Sequence, residues 1–231
     1  KDSSTPLWTY SSHAGIRSID ISLDGEYITA AIGDLVYLFD KDSSTPLWSY
    51  DNGRNIYSVS ISADGEYIIA GGERYDTPYW NGIVYLFDKD SNTPLWSYTM
   101  EADGSTIAQS VSISSDGEYI AAGSSSGDKK VYLFEKDSST PLWSYTTEDA
   151  VSSVAISANG DYVVAGAQDE KLYFFLTPPP KVNPIVSQRA YTLDTLPVTI
   201  YPDYFSASGN ITYFNWTINN STASNFPYLT L

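Results

Sequence analysis

Cysteine is absent from the 231 residues, so no disulfide framework exists and nothing marks a redox compartment. Histidine occurs once, as His13. A Ser-His-Asp relay would have to run through that residue, which sits in a short polar loop among serines, so nucleophilic catalysis is not expected. Basic residues are scarce: 12 Lys and Arg stand against 28 Asp and Glu, a formal charge of −16. Nucleic-acid phosphates require clustered cations, and this chain does not offer them. No apolar run approaches the ~18 residues of a membrane-spanning helix. No signal-peptide pattern is visible and the first residue is Lys1, so the chain reads as a mature form or a fragment.

What is present is aromatic and acidic. Twenty tyrosines, eight phenylalanines and six tryptophans favour strands over helices. The excess charge lies entirely within residues 1–176, with 26 acids and 10 bases, while residues 177–231 carry two of each. Such acidity suits a soluble, self-repelling surface or a salty, cation-rich setting.

One phrase recurs four times. KDSSTPLWTY begins at Lys1, KDSSTPLWSY at Lys41, KDSNTPLWSY at Lys89 and KDSSTPLWSY at Lys136. Between these copies stand stretches of the type SVSISxDGEYIxA followed by VYLFD. A period of 40 to 48 residues implies an array of small units, none able to bury a core alone. In the third copy, Ala108–Ser114 alternates apolar and polar residues and reads as a half-buried strand. Asp116-Gly117 supplies a tight hairpin turn. Glu118–Ala122 reads as the second strand, Val131–Glu135 as the third and Leu142–Tyr145 as the fourth. Four short antiparallel strands in ~45 residues form a propeller blade.

These runs resemble known repeats. SVSISxDGEYIxAG…VYLFD is similar to the inner strands of WD-repeat propellers. VYLFDKDSSTPLWSY resembles the quinoprotein (PQQ-type) repeat, in which a Trp near the outer strand docks onto the neighbouring blade. The resemblance covers residues 1–176 and implies a fold, not a chemistry. Because it is confined to the structural repeat, no quinone or other cofactor is expected. Trp8, Trp48, Trp96 and Trp143 therefore read as packing residues, and Tyr37, Tyr85, Tyr132 and Tyr173 as strand residues.

The last third strand, Leu172–Leu176, is followed by Thr177-Pro178-Pro179-Pro180, and proline ends sheet pairing. The fourth blade thus lacks an outer strand, while residues 6–10 are a spare one. Closure by that N-terminal strand would remove an exposed edge. The expected fold is all-β: a closed four-bladed propeller over 1–176, followed by a partial immunoglobulin-like segment. The rival is a seven- or eight-bladed ring completed by further sequence or by a second copy.

Turns between first and second strands (Leu23–Gly25, Ala63–Gly65, Ser115–Gly117, Ala158–Gly160) keep a constant length, as do those at Lys41–Thr45, Lys89–Thr93 and Lys136–Thr140. The remaining loops vary, from Ala31–Asp34 to the long Gly71–Gly82, and lie on the opposite face. Loops on a rigid scaffold carry function, so recognition is expected there. Arg74, Tyr75, Asp76, Tyr79 and Trp80 gather the residue types of binding hot spots, and such aromatics also suit sugars. A loop folding back to pack its own aromatics is the plain alternative. Glu73, Asp76, Glu101 and Asp103 sit on the same face, but nothing in their spacing selects a catalytic pair. Asp88, Asp90 and Asn92 echo the opening of a calcium loop without its glycine or its closing glutamate, and Asp, Ser and Asn also build ordinary turns. No metal is expected.

Composition changes after Thr177. Residues 177–184 form a stiff Pro-rich linker. Within 185–231, GNITYFNWTINNSTASNFPYLTL resembles the middle of a PKD-type, immunoglobulin-like domain, with Trp216 at its core position and Asn225–Pro227 near its Asn-Pro. Thr217–Ser221 replaces that family's Asp-Phe-Gly-Asp-Gly. Asn210, Asn215, Asn219 and Asn220 begin Asn-x-Ser/Thr sites, which imply glycosylation and an extracytoplasmic home. Propellers joined to such domains resemble archaeal cell-surface and surface-layer proteins. The sequence thus points to an extracellular structural protein without enzymatic activity. Its propeller would bind other protein subunits, and its C-terminal segment would couple it into a surface layer or filament. A carbohydrate-binding adhesion module is the first alternative and a glycan-active enzyme the second.

Overall fold

A computed structural model describes residues 4–76, 79–100, 105–125, 127–177, 216–218 and 221–223. The chain divides into two units, 1–180 and 181–231.

Unit one is built from four antiparallel sheets in sequence order. The first holds β1 (Ile16–Ile21), β2 (Tyr27–Ile32), β3 (Leu35–Asp40) and β4 (Trp48–Asp51). The second holds β5 (Ile56–Ile61), β6 (Tyr67–Asp76), β7 (Tyr79–Asp88) and β8 (Trp96–Met100). The third holds β9 (Ala108–Ile113), β10 (Tyr119–Ser124), β11 (Lys130–Glu135) and β12 (Trp143–Thr146). The fourth has three strands only, β13 (Val151–Ile156), β14 (Tyr162–Ala167) and β15 (Leu172–Leu176). Each sheet is a meander of neighbouring strands, the blade of a β-propeller.

The core lies between blades. Val36 and Leu38 on one face of β3 meet Ile56, Val59, Ile68 and Phe87 of the second blade. Ile69, Val84 and Leu86 meet the third blade through Val111, Ile120 and Phe134. Val131 and Leu133 meet Val151, Val154 and Val163 of the fourth. The alternation of VYLFD therefore serves two interfaces at once, one on each face of the strand. The repeated tryptophans act as the repeat pattern implies: the indole N–H groups of Trp48 and Trp96 donate to the carbonyls of Lys89 and Lys136 on the next blade, at 2.7 and 2.6 Å.

Each β1–β2-type turn is locked locally. The Ser22 hydroxyl donates to Asp24 at 2.6 Å, and the Glu26 N–H donates to the same carboxylate oxygen. Together these hold the Asp24 carboxyl below its ordinary range, the serine contributing most. Ser62–Asp64 and Ser114–Asp116 repeat the arrangement. Lys41 and Lys89 then bridge to Glu26 and Glu66 at 2.8 and 3.4 Å, and Lys136 pairs with Glu118 in the same way.

Two expectations are corrected here. The stretch Gly71–Gly82 is not a loop; its described residues continue β6 and β7 in unbroken register, from Gly72↔Ile83 to Asp76↔Tyr79. Tyr, Trp, Ile and Val make those residues good strand formers, so the insertion extends the ladder instead of interrupting it. Closure of a four-bladed ring by residues 6–10 is not formed either. That segment carries no strand, and it covers the first blade, where Trp8 and Tyr10 pack on Phe39 at ring separations of 5.7 and 5.1 Å. Among the described residues β15 has only β14 as a neighbour.

In unit two, β16 (Trp216–Ile218) pairs antiparallel with β17 (Ser221–Ala223). The linker beyond Thr177, Asn225–Pro227 and the acceptor residues Asn210, Asn215, Asn219 and Asn220 lie outside the described residues.

Candidate functional site

The extended β6–β7 hairpin carries the candidate residues beyond the edge of the blade. Tyr75 and Trp80 are directly opposite across the ladder, where side chains on one face touch. Their rings lie 4.7 Å apart at 52°. Both hairpin tyrosines remain open to solvent: Tyr75 is 48% exposed and Tyr79 43%. Arg74 is exposed opposite Asn81. Asp76 pairs with Tyr79 through the backbone, and its side chain lies outside the described set.

The sequence reading missed Arg54. Its guanidinium carbon sits 4.9 Å from the Trp80 ring centre, a cation–π distance. The β4–β5 loop holds it there. Asn52 donates its amide to the carbonyls of Arg54 and Glu73, both at 2.9 Å, and accepts the Tyr85 hydroxyl at 2.7 Å. The surface is thus a row of exposed Tyr75, half-buried Trp80 and exposed Arg54, anchored to the blade through Asn52.

Beneath it, Glu73 is held as a structural acceptor. Asn55 donates to one carboxylate oxygen at 2.7 Å and the Tyr57 hydroxyl to the other at 3.1 Å. Arg17 of the first blade donates to Asn55 at 2.8 Å and lies 4.9 Å from the Tyr57 ring centre. Burial, and then the Glu73 charge, push the Tyr57 hydroxyl pKa up. Of the other carboxylates considered on this face, Glu101 and Asp103 lie outside the described residues. His13 is exposed in the segment before β1.

The calcium-like set closes on itself. Asp88 accepts the Asp90 N–H at 2.8 Å, Asp90 pairs with Lys89 at 2.9 Å, and Asn92 donates to the Ser49 carbonyl at 3.1 Å. Among the described residues no three His, Asp or Glu side chains gather where they could hold a metal ion.

A second polar group sits in the third blade. The Tyr132 hydroxyl donates to buried Asp128 at 2.5 Å, and Lys130 pairs with the other oxygen at 2.7 Å. Ser124 donates to Asp128 at 3.0 Å. Burial first, and then Asp128, drive the Tyr132 pKa far above its ordinary value. Tyr173 donates to Asp169 likewise in the fourth blade. Tyr132 and Tyr173 therefore tie down the β2–β3-type loops of the third and fourth blades, whereas Tyr85 reaches the β4–β5 loop. A cleft of about 160 Å³ between the third and fourth blades, lined by Gln109, Ser125, Ser152 and Gln168 among others, is smaller than the ~300 Å³ at which small-molecule sites begin. No helix among the described residues is long and apolar enough to cross a membrane.

No curated protein matches the chain. A family model described as "Outer membrane protein assembly factor BamB" matches residues 1–177. That span covers every blade and ends at Thr177, whose N–H closes the fourth one by donating to the Asp161 carbonyl at 2.9 Å. By its repeats, its blades and this match, the chain belongs to the PQQ-type repeat family of outer membrane protein assembly factor BamB.

Proposed function

We propose that this protein is a non-enzymatic interaction propeller of the outer cell envelope. Its contact surface for other proteins is the β6–β7 hairpin together with Arg54. The observation that carries the reading is the Tyr75–Trp80–Arg54 row, in which a continuous ladder sets Tyr75 against Trp80 while Tyr75 and Arg54 stay open to solvent. Tyr, Trp and Arg dominate binding energy at protein interfaces, because they bring large area at small entropy cost. The family's printed description, an outer membrane protein assembly factor, supports protein binding in the envelope. Glu73, held by Asn55 and Tyr57, serves the architecture and not a reaction. Within this reading the protein is extracytoplasmic, its Asn-x-Ser/Thr sites carry glycans, and residues 181–231 couple the propeller to other subunits of a surface assembly.

The same row favours a second reading, since an exposed Tyr75 ring tilted against a half-buried Trp80 also fits the apolar face of a sugar. One experiment separates the two. Wild-type protein and the Tyr75→Ala/Trp80→Ala variant are tested against enzymatically deglycosylated envelope proteins and against a glycan array. Under the protein-binding reading, the deglycosylated proteins bind the wild type, and the variant binds them roughly 30-fold or more weakly, as loss of about 2 kcal/mol from a hot spot requires. Binding to the glycan array alone overturns that reading in favour of the sugar.

A further inference from the structure

The three junctions between blades are copies of one another, in four ways. A chain of turn-to-turn hydrogen bonds runs from blade to blade: Leu23 N–H donates to the Ala63 carbonyl, Ala63 N–H to Ser115 and Ser115 N–H to Ala158, at 2.9, 3.0 and 2.9 Å. Serines bridge the inner strands, where the hydroxyls of Ser18, Ser58 and Ser110 accept the N–H groups of Val59, Val111 and Val154 at 3.2, 3.1 and 3.1 Å. Tyr27, Tyr67 and Tyr119 cover the turn glycines of the next blade, Gly65, Gly117 and Gly160. Lastly, a tryptophan of one blade packs on a phenylalanine of the next, as in Trp48–Phe87 and Trp96–Phe134, both at 5.5 Å.

The two outer blades carry the unmatched halves of this junction. None of the described glycines lies beneath Tyr162, and a side chain on Gly25 would meet only Ile21 of its own blade. By repeat position, Ser153 is the bridging serine with no neighbour, and Ile19 N–H is the donor awaiting one. Ile19 is 68% exposed where its counterpart Val59 is 4%, and Phe174 is 67% exposed where Leu133 is fully buried. Tyr162, Val164, Phe174 and Ile156 line an apolar cleft of about 230 Å³ on the open face of the fourth blade. At the same seam Ala155 stands where Asp20 and Ser112 accept a neighbour's N–H in the other blades. The N–H it would leave without an acceptor, that of Ile21, is already taken by Asp20 of its own blade at 2.8 Å.

Three like junctions leave both end faces exposed, at Ile19 and at Phe174, so the four blades do not cover one another's ends. Propellers run from four to eight blades, and two copies of this arc supply eight. From these complementary ends we infer that a second copy of this chain closes the ring, head to tail at both seams. The spare strand is already in place for it. Trp8 donates to the Lys41 carbonyl at 2.7 Å, as Trp48 and Trp96 do one and two blades on. Residues 7–10 thus ride on the first blade as the outer strand of a preceding one. The registers of β3–β4 and β11–β12 transfer directly to the seam. They place Tyr10 opposite Leu172 of the second copy, Thr9 opposite Tyr173 and Trp8 opposite Phe174.

Sedimentation of the full chain tests this, with a species at twice the 25.4 kDa chain mass expected. Ile19→Asp and Phe174→Asp change side chains that project from the single arc, so each should give folded protein, by circular dichroism, at the single-chain mass. The natural absence of cysteine permits a direct check of register. Thr9→Cys protein mixed with Tyr173→Cys protein, refolded and oxidised, should give a disulfide-linked pair of one chain of each kind. A wild-type species at 25.4 kDa, an internal disulfide in a chain carrying both Thr9→Cys and Tyr173→Cys, or open-ended polymers would each overturn the two-copy ring.

Discussion

Replacing Gly117 with alanine probes the junction between the second and third blades at one atom. Gly117 has φ of +73°, and an added Cβ would lie 2.6 Å from Cδ2 of Tyr67. The left-handed backbone costs a non-glycine residue about 1 kcal/mol. Displacing a packed ring adds roughly 1–3 kcal/mol of overpacking. The sum is roughly 2–4 kcal/mol. Gly25 is the internal control, because it occupies the same turn position at φ of +76° with only Ile21 Cδ1 within reach, at 3.9 Å. Gly25→Ala should cost only the backbone share, roughly 1 kcal/mol. Both are measured by urea unfolding in the Ile19→Asp background, which keeps the chain single, comparing midpoints at constant m. Equal losses at the two sites would refute the claim that the tyrosine-on-glycine contact holds neighbouring blades together.

Two further outcomes follow from the geometry. Trp96→Phe keeps most of the ring but leaves the Lys136 carbonyl without its indole donor; thermal melts should show a loss of roughly 1–3 kcal/mol, the range for an orphaned polar group. Tyr132 has a folded pKa above its ordinary value of 10.0, so its stabilising contribution is complete below about pH 10 and is lost as pH rises through the folded value. Tyrosinate absorbance should accordingly show Tyr132 silent until the chain unfolds in alkali. Asp128→Asn should let it ionise at lower pH by removing the neighbouring negative charge.

The blades were legible because each strand is written in a two-residue alternation and repeated. β15 has the limits that LYFFL marks, and the Asp-Gly or Asn-Gly pairs at 24–25, 64–65, 116–117 and 159–160 mark the four β1–β2-type turns. The tryptophans were legible as packing because they recur with the blade period. The hairpin was not, since an insertion relative to the repeat looks like a loop until its own alternation is weighed, and Glu73–Asp76 is too short to display one. Arg54 escaped because its partnership with Trp80 spans 26 positions and depends on Asn52 turning the β4–β5 loop. Closure was not legible for a geometric reason: strand count tells how many blades the chain makes, not how far each is rotated from the next.

The in-register growth of β6 and β7 separates what the protein recognises from what holds it together. The hairpin's four outermost rungs, Glu73↔Gly82 to Asp76↔Tyr79, lie past the point where β2 and β10 turn back, and at about 3.3 Å per residue they reach roughly 13 Å farther. Rungs can be added or removed in pairs there while the interblade core stays as it is. Reach and partner choice can therefore drift quickly in evolution on a scaffold whose repeats are held nearly constant.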